Sequence, residues 1–192
     1  MSLLQPTPRA IVIGASAGGV LAVRELLSGL PADFPCALLV VIHLPRGRPS
    51  QLAEVMDGAV ALPVMEAEDK QPILPGQVLL APPDYHLMVE DDGHVALSVD
   101  APPMYSMPSI DVLFESAAHV WQHELLAIVL TGASADGAQG AAAVRRAGGR
   151  VWVQDPGEAE MPMMPAAALA AAGADAVLTL KQMVQQLAGV GR

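Results

Sequence analysis

The 192-residue sequence is poor in aromatic residues, cysteine and positive charge. Aromatic residues make up 3% of the chain, so its core must be built from alanine, methionine and aliphatic side chains. Lysine occurs only at Lys70 and Lys181, and the formal net charge is -10. A general nucleic-acid-binding protein needs a basic surface, so we expect no nucleic-acid partner. The single cysteine, Cys36, cannot form an internal disulfide, and nothing indicates an oxidising compartment.

Long apolar segments are also missing. A membrane-spanning helix needs about 20 apolar residues in a row, and the best runs here, at 37–42 and 125–130, are far shorter. The polar, proline-containing residues 5–9 precede the first apolar run where a secretory signal would need one. An acidic chain is also repelled by anionic lipid. We therefore expect a cytoplasmic protein without membrane insertion.

Hydrophobic residues make up 53% and charged residues 16%, which excludes a disordered chain. Continuous apolar runs alternate with helical patterns. We predict buried strands at 10–13, 37–42, 125–130, 151–153 and 176–180, and helices at 20–30, 137–147, 163–172 and 181–188. Weaker patterns predict a helix at 49–56 and strands at 59–65 and 77–81. Strands that are apolar throughout and separated by helices indicate a mostly parallel sheet flanked by helices in an α/β domain.

The middle of the sequence follows a different pattern. Two strand-like segments at 85–90 and 94–99 flank Asp91-Asp92-Gly93, which predicts an antiparallel β-hairpin. Ser109 is a candidate N-cap for a helix from 110 to about 123, with Asp111 in its first turn. No repeat and no long linker interrupts the chain, so we expect residues 1–192 to form a single domain.

Three reactive side chains follow predicted strands. Ser16 comes after the first strand, His43 directly follows the second, and Asp136 lies in the loop after the strand at 125–130. The carboxyl ends of parallel strands share one sheet edge, where ligands bind in open α/β sheets. Serine, histidine and aspartate are the members of a hydrolytic triad.

Each of these residues also has a purely structural interpretation. Ser16 is a favoured residue type for capping the helix behind it. His43 is compatible with simply ending a strand before Pro45. Asp136 and Gln139 resemble a capping box with aspartate in place of serine or threonine. Only their joint position at one edge favours catalysis.

The segment Gly14-Ala15-Ser16-Ala17-Gly18 matches the G-x-S-x-G pattern of a nucleophile elbow between a strand and a helix. Its small residues permit a sharp turn, and the amides that follow Ser16 begin a helix and so suit an oxyanion. The order serine, histidine, aspartate differs from that of the α/β-hydrolases and disfavours that family.

Other motifs point less clearly to chemistry. His119 and His123 have metal-ligand spacing, but the glutamate of H-E-x-x-H and a third ligand are missing, so we expect no metal site. The glycine-rich turn resembles a phosphate loop but lacks the middle glycine of G-x-G-x-x-G and the lysine of a Walker A motif. The methionine-rich segment 161–165 is a candidate pocket lining.

Together these motifs resemble the catalytic domain of the chemotaxis protein-glutamate methylesterases, the CheB family. The matching stretches run in the family's order along nearly the whole chain: IVIGASAGG at 11–19, VVIHLP at 40–45, GQVLLAPPDYHL at 76–87, PSIDVLFES at 108–116, VLTGASADGAQG at 129–140 and VQDPGEAEMPMMP at 153–165. The resemblance implies a doubly wound parallel sheet with an antiparallel hairpin, in agreement with the patterns above.

The resemblance also implies roles. Ser16 would be the nucleophile, His43 the general base and acid, and Asp136 the residue that orients His43, with no metal or organic cofactor. The backbones of Ala17 and Ala133 are candidates for an oxyanion hole.

Arg46 and Met164 are candidate substrate contacts, although a solvated surface loop accounts equally well for Arg46. The substrate would be glutamate γ-methyl esters on methyl-accepting chemotaxis receptors, and some relatives also deamidate receptor glutamines.

The sequence departs from the family pattern in three respects, of which the first is a loosely kept signature in the loop that contains Pro156 and Glu160. Ala133 and Ser134 stand where the family usually has methionine and glycine. The catalytic motifs begin within about ten residues, so we expect a catalytic domain without the phosphorylatable receiver domain of typical members. The last two departures motivate a second hypothesis, a non-catalytic adaptor that binds a receptor or signalling partner. A nucleotide-binding domain using the glycine loop is a third hypothesis.

Overall fold

The computed structural model describes residues 3–45, 47, 49–101 and 106–190. Seven strands form one sheet in which every neighbouring pair is parallel, and two more form a separate antiparallel pair. In chain order the strands are β1 (Ala10–Ala15), β2 (Ala37–Ile42), β3 (Val64–Glu66), β4 (Val78–Leu80), β5 (His86–Val89), β6 (Val95–Ser98), β7 (Leu125–Val129), β8 (Arg150–Gln154) and β9 (Ala176–Leu178).

The parallel sheet has the order β3-β4-β2-β1-β7-β8-β9. The chain first builds outward from β1 on the β2 side and then returns to the other side of β1 with β7. The direction in which successive strands are added therefore reverses at β1, between β1 and β7. Such a switch point opens a crevice at the carboxyl ends of the strands. This topology confirms the predicted α/β class with a mostly parallel sheet and one antiparallel hairpin.

The central strands are apolar because both of their faces are covered. Every residue of β1, β2 and β7 is buried. Alternate side chains enter two separate cores, so that Ile11 and Ile13 pack in one and Val12 packs in the other. A strand buried on both sides needs apolar residues at every position, which is why continuous apolar runs predicted these strands well.

Six helices cover the two faces in the described part of the chain. They are α1 (Gly19–Ser28), α2 (Leu52–Met56), α3 (Ile110–Trp121), α4 (Ala138–Arg146), α5 (Met163–Ala172) and α6 (Leu180–Leu187). Buried residues of α1, α2 and α6 line the first core, and those of α3, α4 and α5 line the second. None of these helices has the length and apolar character needed to cross a bilayer.

The structure shortens several predicted elements at the β3 side of the sheet. The helix predicted at 49–56 begins at Leu52, and the strand predicted at 59–65 is only Val64–Glu66. Pro63 precedes this strand and has no amide to donate to a ladder, although its carbonyl accepts from Val78. The β5–β6 hairpin is confirmed, with Gly93 in the turn at a φ of 81°.

Helices α3 and α4 cap each other through exchanged aspartates. Asp136 precedes α4, yet its carboxylate accepts from the amides of Ile110 at 2.7 Å and Asp111 at 3.0 Å, at the start of α3. In return, Asp111 Oδ1 accepts from the amides of Gly137 at 2.9 Å and Gly140 at 2.7 Å, at the start of α4. Each carboxylate therefore satisfies orphan donors at the positive end of the other helix.

Of the two local caps predicted from the sequence, the N-cap position of Ser109 is confirmed but its side-chain cap is not formed, and the capping box at Asp136 is wrong. Ser109 occupies the N-cap position of α3, but its hydroxyl donates to Asp136 Oδ1 at 2.9 Å instead of accepting from α3. The N-cap of α4 is Gly137 without a side-chain cap, so Asp136 and Gln139 form no capping box. In both cases a partner distant in sequence provides the capping interaction, and local spacing cannot reveal it.

Ionisation of the Asp111 carboxylate is unfavourable in the folded protein. Its burial, together with the negative charge of Asp136, raises the pKa of Asp111 to about 6, against the opposing hydrogen bonds from Gly140 and Gly137. A pKa that is higher in the folded than in the unfolded state contributes stability at low pH. That contribution is complete below the unfolded value of 3.8 and is lost as the pH rises through about 6.

The variant Asp111→Asn should therefore gain stability relative to the wild type as the pH rises from about 4 to about 7. Asparagine keeps an oxygen that accepts from both glycine amides but does not ionise. We expect the difference in unfolding free energy to grow by on the order of 1–2 kcal/mol over this range, measured by urea denaturation at several pH values. Parallel pH profiles for the two proteins would show that Asp111 does not ionise in this range.

The variant Gly140→Ala should be destabilised although alanine favours helix. A Cβ at this position would lie 2.5 Å from Phe114 Cβ and 3.0 Å from Asp111 Cα, so α3 and α4 would have to separate. We expect a loss of about 1–3 kcal/mol in urea unfolding. Gly189→Ala is the matched control, because its nearest neighbour lies at an ordinary 3.5 Å. Equal stabilities for the two variants would contradict this packing argument.

Candidate active site

The residues after β1, β2 and β7 meet at the carboxyl edge of the sheet. β1 pairs with β2 through Ala15 and Ile42, so Ser16 and His43 follow at matching positions. The amide of His43 donates to Ala15 O at 3.1 Å, and the amide of Ser16 donates to Thr131 O at 2.9 Å. Backbone hydrogen bonds thus continue the sheet beyond its strands and fix where these side chains begin.

His43 and Asp136 form the central contact of this edge. His43 Nε2 donates to Asp136 Oδ2 at 2.7 Å. The histidine side chain is 16% exposed, whereas the aspartate side chain is 1% exposed. Because Nε2 is hydrogen-bonded to the carboxylate, Nδ1 is the ring nitrogen that is left to accept a proton from a nucleophile. This is the reverse of the serine-protease arrangement, in which Nδ1 faces the aspartate.

Four donors hold the Asp136 carboxylate. Besides His43, they are the hydroxyl of Ser109 and the amides of Ile110 and Asp111. Burial acts to raise the pKa of Asp136, but the hydrogen bonds from His43, Asp111, Ile110 and Ser109 outweigh it, so the pKa lies below its ordinary value. The carboxylate therefore stays ionised and accepts from His43 in a fixed direction.

Ser16 lies in the turn between β1 and α1 and does not cap α1. The N-cap of α1 is Gly18 and no side chain caps this helix, so the capping interpretation of Ser16 is wrong. The side chain of Ser16 is half-buried and has no hydrogen bond within the described ranges, to His43 included. Catalytic hydrogen bonds are often loose without substrate, so Ser16 Oγ is left available at the edge.

Two exposed residues lie near this serine, Ala17 along the chain and Ala133 next to Gly132, where an added Cβ would lie 2.9 Å from Ser16 Cβ. Ala17 directly follows Ser16, and Ala133 lies in the loop after β7 that also carries Asp136. Among the described residues, neither amide has a hydrogen-bond partner. Unpaired donors beside a nucleophile are what an oxyanion hole requires. In the same loop, Ser134 Oγ accepts from the amide of Asp136 at 3.1 Å and helps to hold its backbone.

Met164 lies beneath the site and not on its surface. It is 1% exposed at the start of α5. A Cβ on Gly132 would lie 2.6 Å from Met164 Cε and 2.9 Å from Ser16 Cβ, so the three residues pack closely. Among the described methionines, those with the largest exposure are Met161 at 38% and Met163 at 55%. These two, rather than Met164, are accessible to a substrate.

Of the remaining candidates, the structure describes the two histidines but not the arginines. Arg46 and Arg48 lie outside the described residues. His119 is exposed, lies 3.6 Å from Asp91 and belongs to the last turn of α3, whereas Asp136 contacts the first turn of that helix. Within the described ranges, no three histidine, cysteine, aspartate or glutamate side chains are grouped so as to hold a metal ion.

Three residues of this region were not recognised as parts of the site from the sequence. Ser109 and Asp111 precede Asp136 by 27 and 25 positions, and they meet it only because α3 packs on α4. His86, on β5, accepts the amide of Ser109 on its Nδ1 at 3.0 Å. The only indication in the sequence was the pair of polar residues, Ser109 and Asp111, at the predicted start of a helix. An ordinary helix cap explains that pair equally well.

Comparison with known proteins gives a consistent result. The family model described as CheB methylesterase matches residues 11–187. A relative from Leptospira interrogans is 39% identical over 176 residues, covering 92% of this chain and 91% of the relative. The protein-glutamate methylesterase/protein-glutamine glutaminase 2 of Caulobacter vibrioides is 38% identical over 187 residues, covering 95% of this chain but 54% of the relative.

Among solved structures, the CheB methylesterase catalytic domain of Thermotoga maritima superposes with a TM-score of 0.89 at 32% sequence identity. The match covers 95% of this chain and 98% of that domain. A family model over most of the chain, relatives near 40% identity and a shared fold all agree: the chain belongs to the CheB methylesterase family and is a carboxylic ester hydrolase.

Proposed function

We propose that the chain hydrolyses glutamate γ-methyl esters on methyl-accepting chemotaxis receptors, with Ser16, His43 and Asp136 as a catalytic triad. The observation that carries the proposal is the 2.7 Å hydrogen bond between His43 Nε2 and the buried Asp136, at the sheet edge where Ser16 follows β1. Family membership supports ester hydrolysis, and the names of relatives support a glutamyl methyl ester.

The first half-reaction forms an acyl-enzyme. Ser16 Oγ attacks the carbonyl carbon of the ester while His43 Nδ1 takes the hydroxyl proton. Asp136 fixes the ring with Nε2–H toward the carboxylate and stabilises the imidazolium that forms. The amides of Ala17 and Ala133 stabilise the oxyanion. The imidazolium then gives its proton to the methoxy oxygen, and methanol leaves.

The second half-reaction restores the enzyme. His43 Nδ1 takes a proton from water, and the resulting nucleophile attacks the acyl carbon. Ser16 leaves with the proton from the imidazolium, and the receptor keeps a free glutamate side chain. The same steps on a glutamine side chain would release ammonia in place of methanol, so the same three residues would serve the glutaminase activity that the relative's name gives.

The two flanks of the site differ in character. Beside His43 lies a mainly apolar cleft of 250 Å³ lined by Val20, Leu44, Leu52 and Val55, among others. On the other flank, a cavity of 250 Å³ next to Gly18 is lined by Glu25, Glu158 and Glu160. Hydrolysis converts a neutral ester into a carboxylate. The acidic flank and the net charge of -10 oppose retention of that product.

Replacing Ser16 with alanine should lower the rate of methanol release from a methylated receptor fragment by about 10³-fold or more while preserving the fold. The lost hydroxyl makes no hydrogen bond among the described residues, so stability should change little. Ser28→Ala, which removes an exposed hydroxyl at the end of α1, is the matched control and should keep full activity. Wild-type turnover by Ser16→Ala would reject the nucleophile assignment. A folded wild type that releases no methanol would favour the adaptor hypothesis.

Asp136→Asn should impair both turnover and stability. The carboxylate accepts four hydrogen bonds, whereas an amide presents one oxygen and an NH₂ group that must face one pair of donors. We expect kcat to fall by about 10³- to 10⁴-fold, because the required tautomer of His43 is lost. Urea unfolding should show a loss of about 1–3 kcal/mol from the unpaired amides of α3. Full activity in a folded variant would exclude Asp136 from the triad.

A further inference from the structure

We propose that His86 and Ser109 are positioning residues, so that the antiparallel hairpin holds the active-site aspartate through the start of α3. This inference rests on the proposed triad. Three hydrogen bonds connect the hairpin to the site. His86 Nδ1 accepts from the amide of Ser109 at 3.0 Å, Ser109 Oγ donates to Asp136 Oδ1 at 2.9 Å, and Asp136 Oδ2 accepts from His43 Nε2 at 2.7 Å.

The connection is buried along its length. His86 is 1% exposed, Ser109 is 0% exposed and Asp136 is 1% exposed. Water cannot replace a lost partner at such positions, so each bond constrains the next residue. His86 is also held independently of the site, because it begins β5 and pairs with Ser98 of β6. The hairpin therefore provides a fixed support against which α3 is placed.

Ser109 is the point where this support acts on Asp136. Its hydroxyl and the next two amides, of Ile110 and Asp111, are three of the four donors to the carboxylate. Without an acceptor on His86, the Ser109 amide would be buried and unsatisfied, and the backbone would shift to relieve it. A shift of Ser109 moves all three donors together. Asp136 then turns, and His43 loses its alignment with Ser16.

The expected consequence is a loss in kcat rather than in substrate binding. Neither His86 nor Ser109 reaches the exposed edge, so KM for a methylated receptor fragment should stay near the wild-type value. A displacement on the scale of 1 Å at catalytic groups can cost about 100-fold in rate. We therefore expect His86→Leu, which has no acceptor, to lower kcat by about 10- to 100-fold.

His86→Asn separates positioning from general damage. Asparagine places Oδ1 where histidine has Nδ1, so it still accepts the Ser109 amide and should restore kcat to within about threefold of the wild type. The control is Val89→Ala on the same strand, which removes buried side-chain volume from the hairpin three positions away from His86. Its kcat, measured well below the melting temperature, should equal that of the wild type.

A spectroscopic readout makes the test independent of turnover. The far-downfield proton resonance of the His43 Nε2–H···Asp136 hydrogen bond, assigned by its absence in His43→Gln, should shift or broaden in His86→Leu and persist in His86→Asn and Val89→Ala. Ser109→Ala provides a second test should His86→Leu not fold. It removes only the hydroxyl donor to Asp136 and should shift the same resonance and lower kcat.

The inference is overturned by wild-type kcat and an unshifted resonance in folded His86→Leu or Ser109→Ala. It is also overturned if kcat falls as much in Val89→Ala as in His86→Leu, because general weakening of the hairpin would then explain the loss of kcat. Absence of receptor turnover in the wild type would reject the proposed function, and the resonance would then decide alone whether His86 positions Asp136.

Discussion

One buried carboxylate, that of Asp136, connects the helical layer to the carboxyl edge of the sheet. It accepts the first amides of α3, the hydroxyl of Ser109 and the ring of His43 at the same time. The hydrogen bonds from His43 and from the start of α3 keep it ionised in spite of its burial, and an ionised carboxylate is what orients a neighbouring imidazole. The capping of a helix and the orientation of a candidate catalytic residue therefore depend on the same side chain.

Two adjacent buried aspartates have opposite electrostatic behaviour here. Asp136 has four donors and a lowered pKa, whereas Asp111 has two backbone donors and a pKa raised to about 6. Two negative charges close together in a low-dielectric region are unfavourable, so the one with fewer donors gives up its charge first. The result favours the charge on the carboxylate that faces His43.

The sequence predicts best those features that depend on local pattern. The strands β1, β2 and β7, and residues 151–153 of β8, have no polar side chains because both faces of the sheet are covered, and the Asp91-Asp92-Gly93 turn marks the hairpin. Ser16, His43 and Asp136 could be placed at one edge because parallel strands end together. The predicted bounds of α2 and β3 were less accurate, because these shorter elements near the sheet edge are only partly buried and have weaker hydrophobic patterns.

What the sequence could not predict was which distant groups hold Asp136. Ser109 has the residue type and position of an ordinary N-cap, and Asp136 precedes a helix as a capping aspartate would. Both instead bind groups 27 positions away, because α3 packs directly on α4 and the two helix starts lie side by side. The spacing of residues along the chain therefore cannot predict that contact.

The exchange of aspartates between α3 and α4 has a consequence for how sequences of this fold should be interpreted. A descendant that abandoned catalysis would be free to change Ser16, whose hydroxyl supports nothing else among the described residues. It would still need Asp136, and a side-chain acceptor at position 111, to cap the two helix starts. Retention of the aspartate is thus poor proof of an active enzyme. The identity of the residue at the elbow is the more informative marker when active members are to be told from inactive ones.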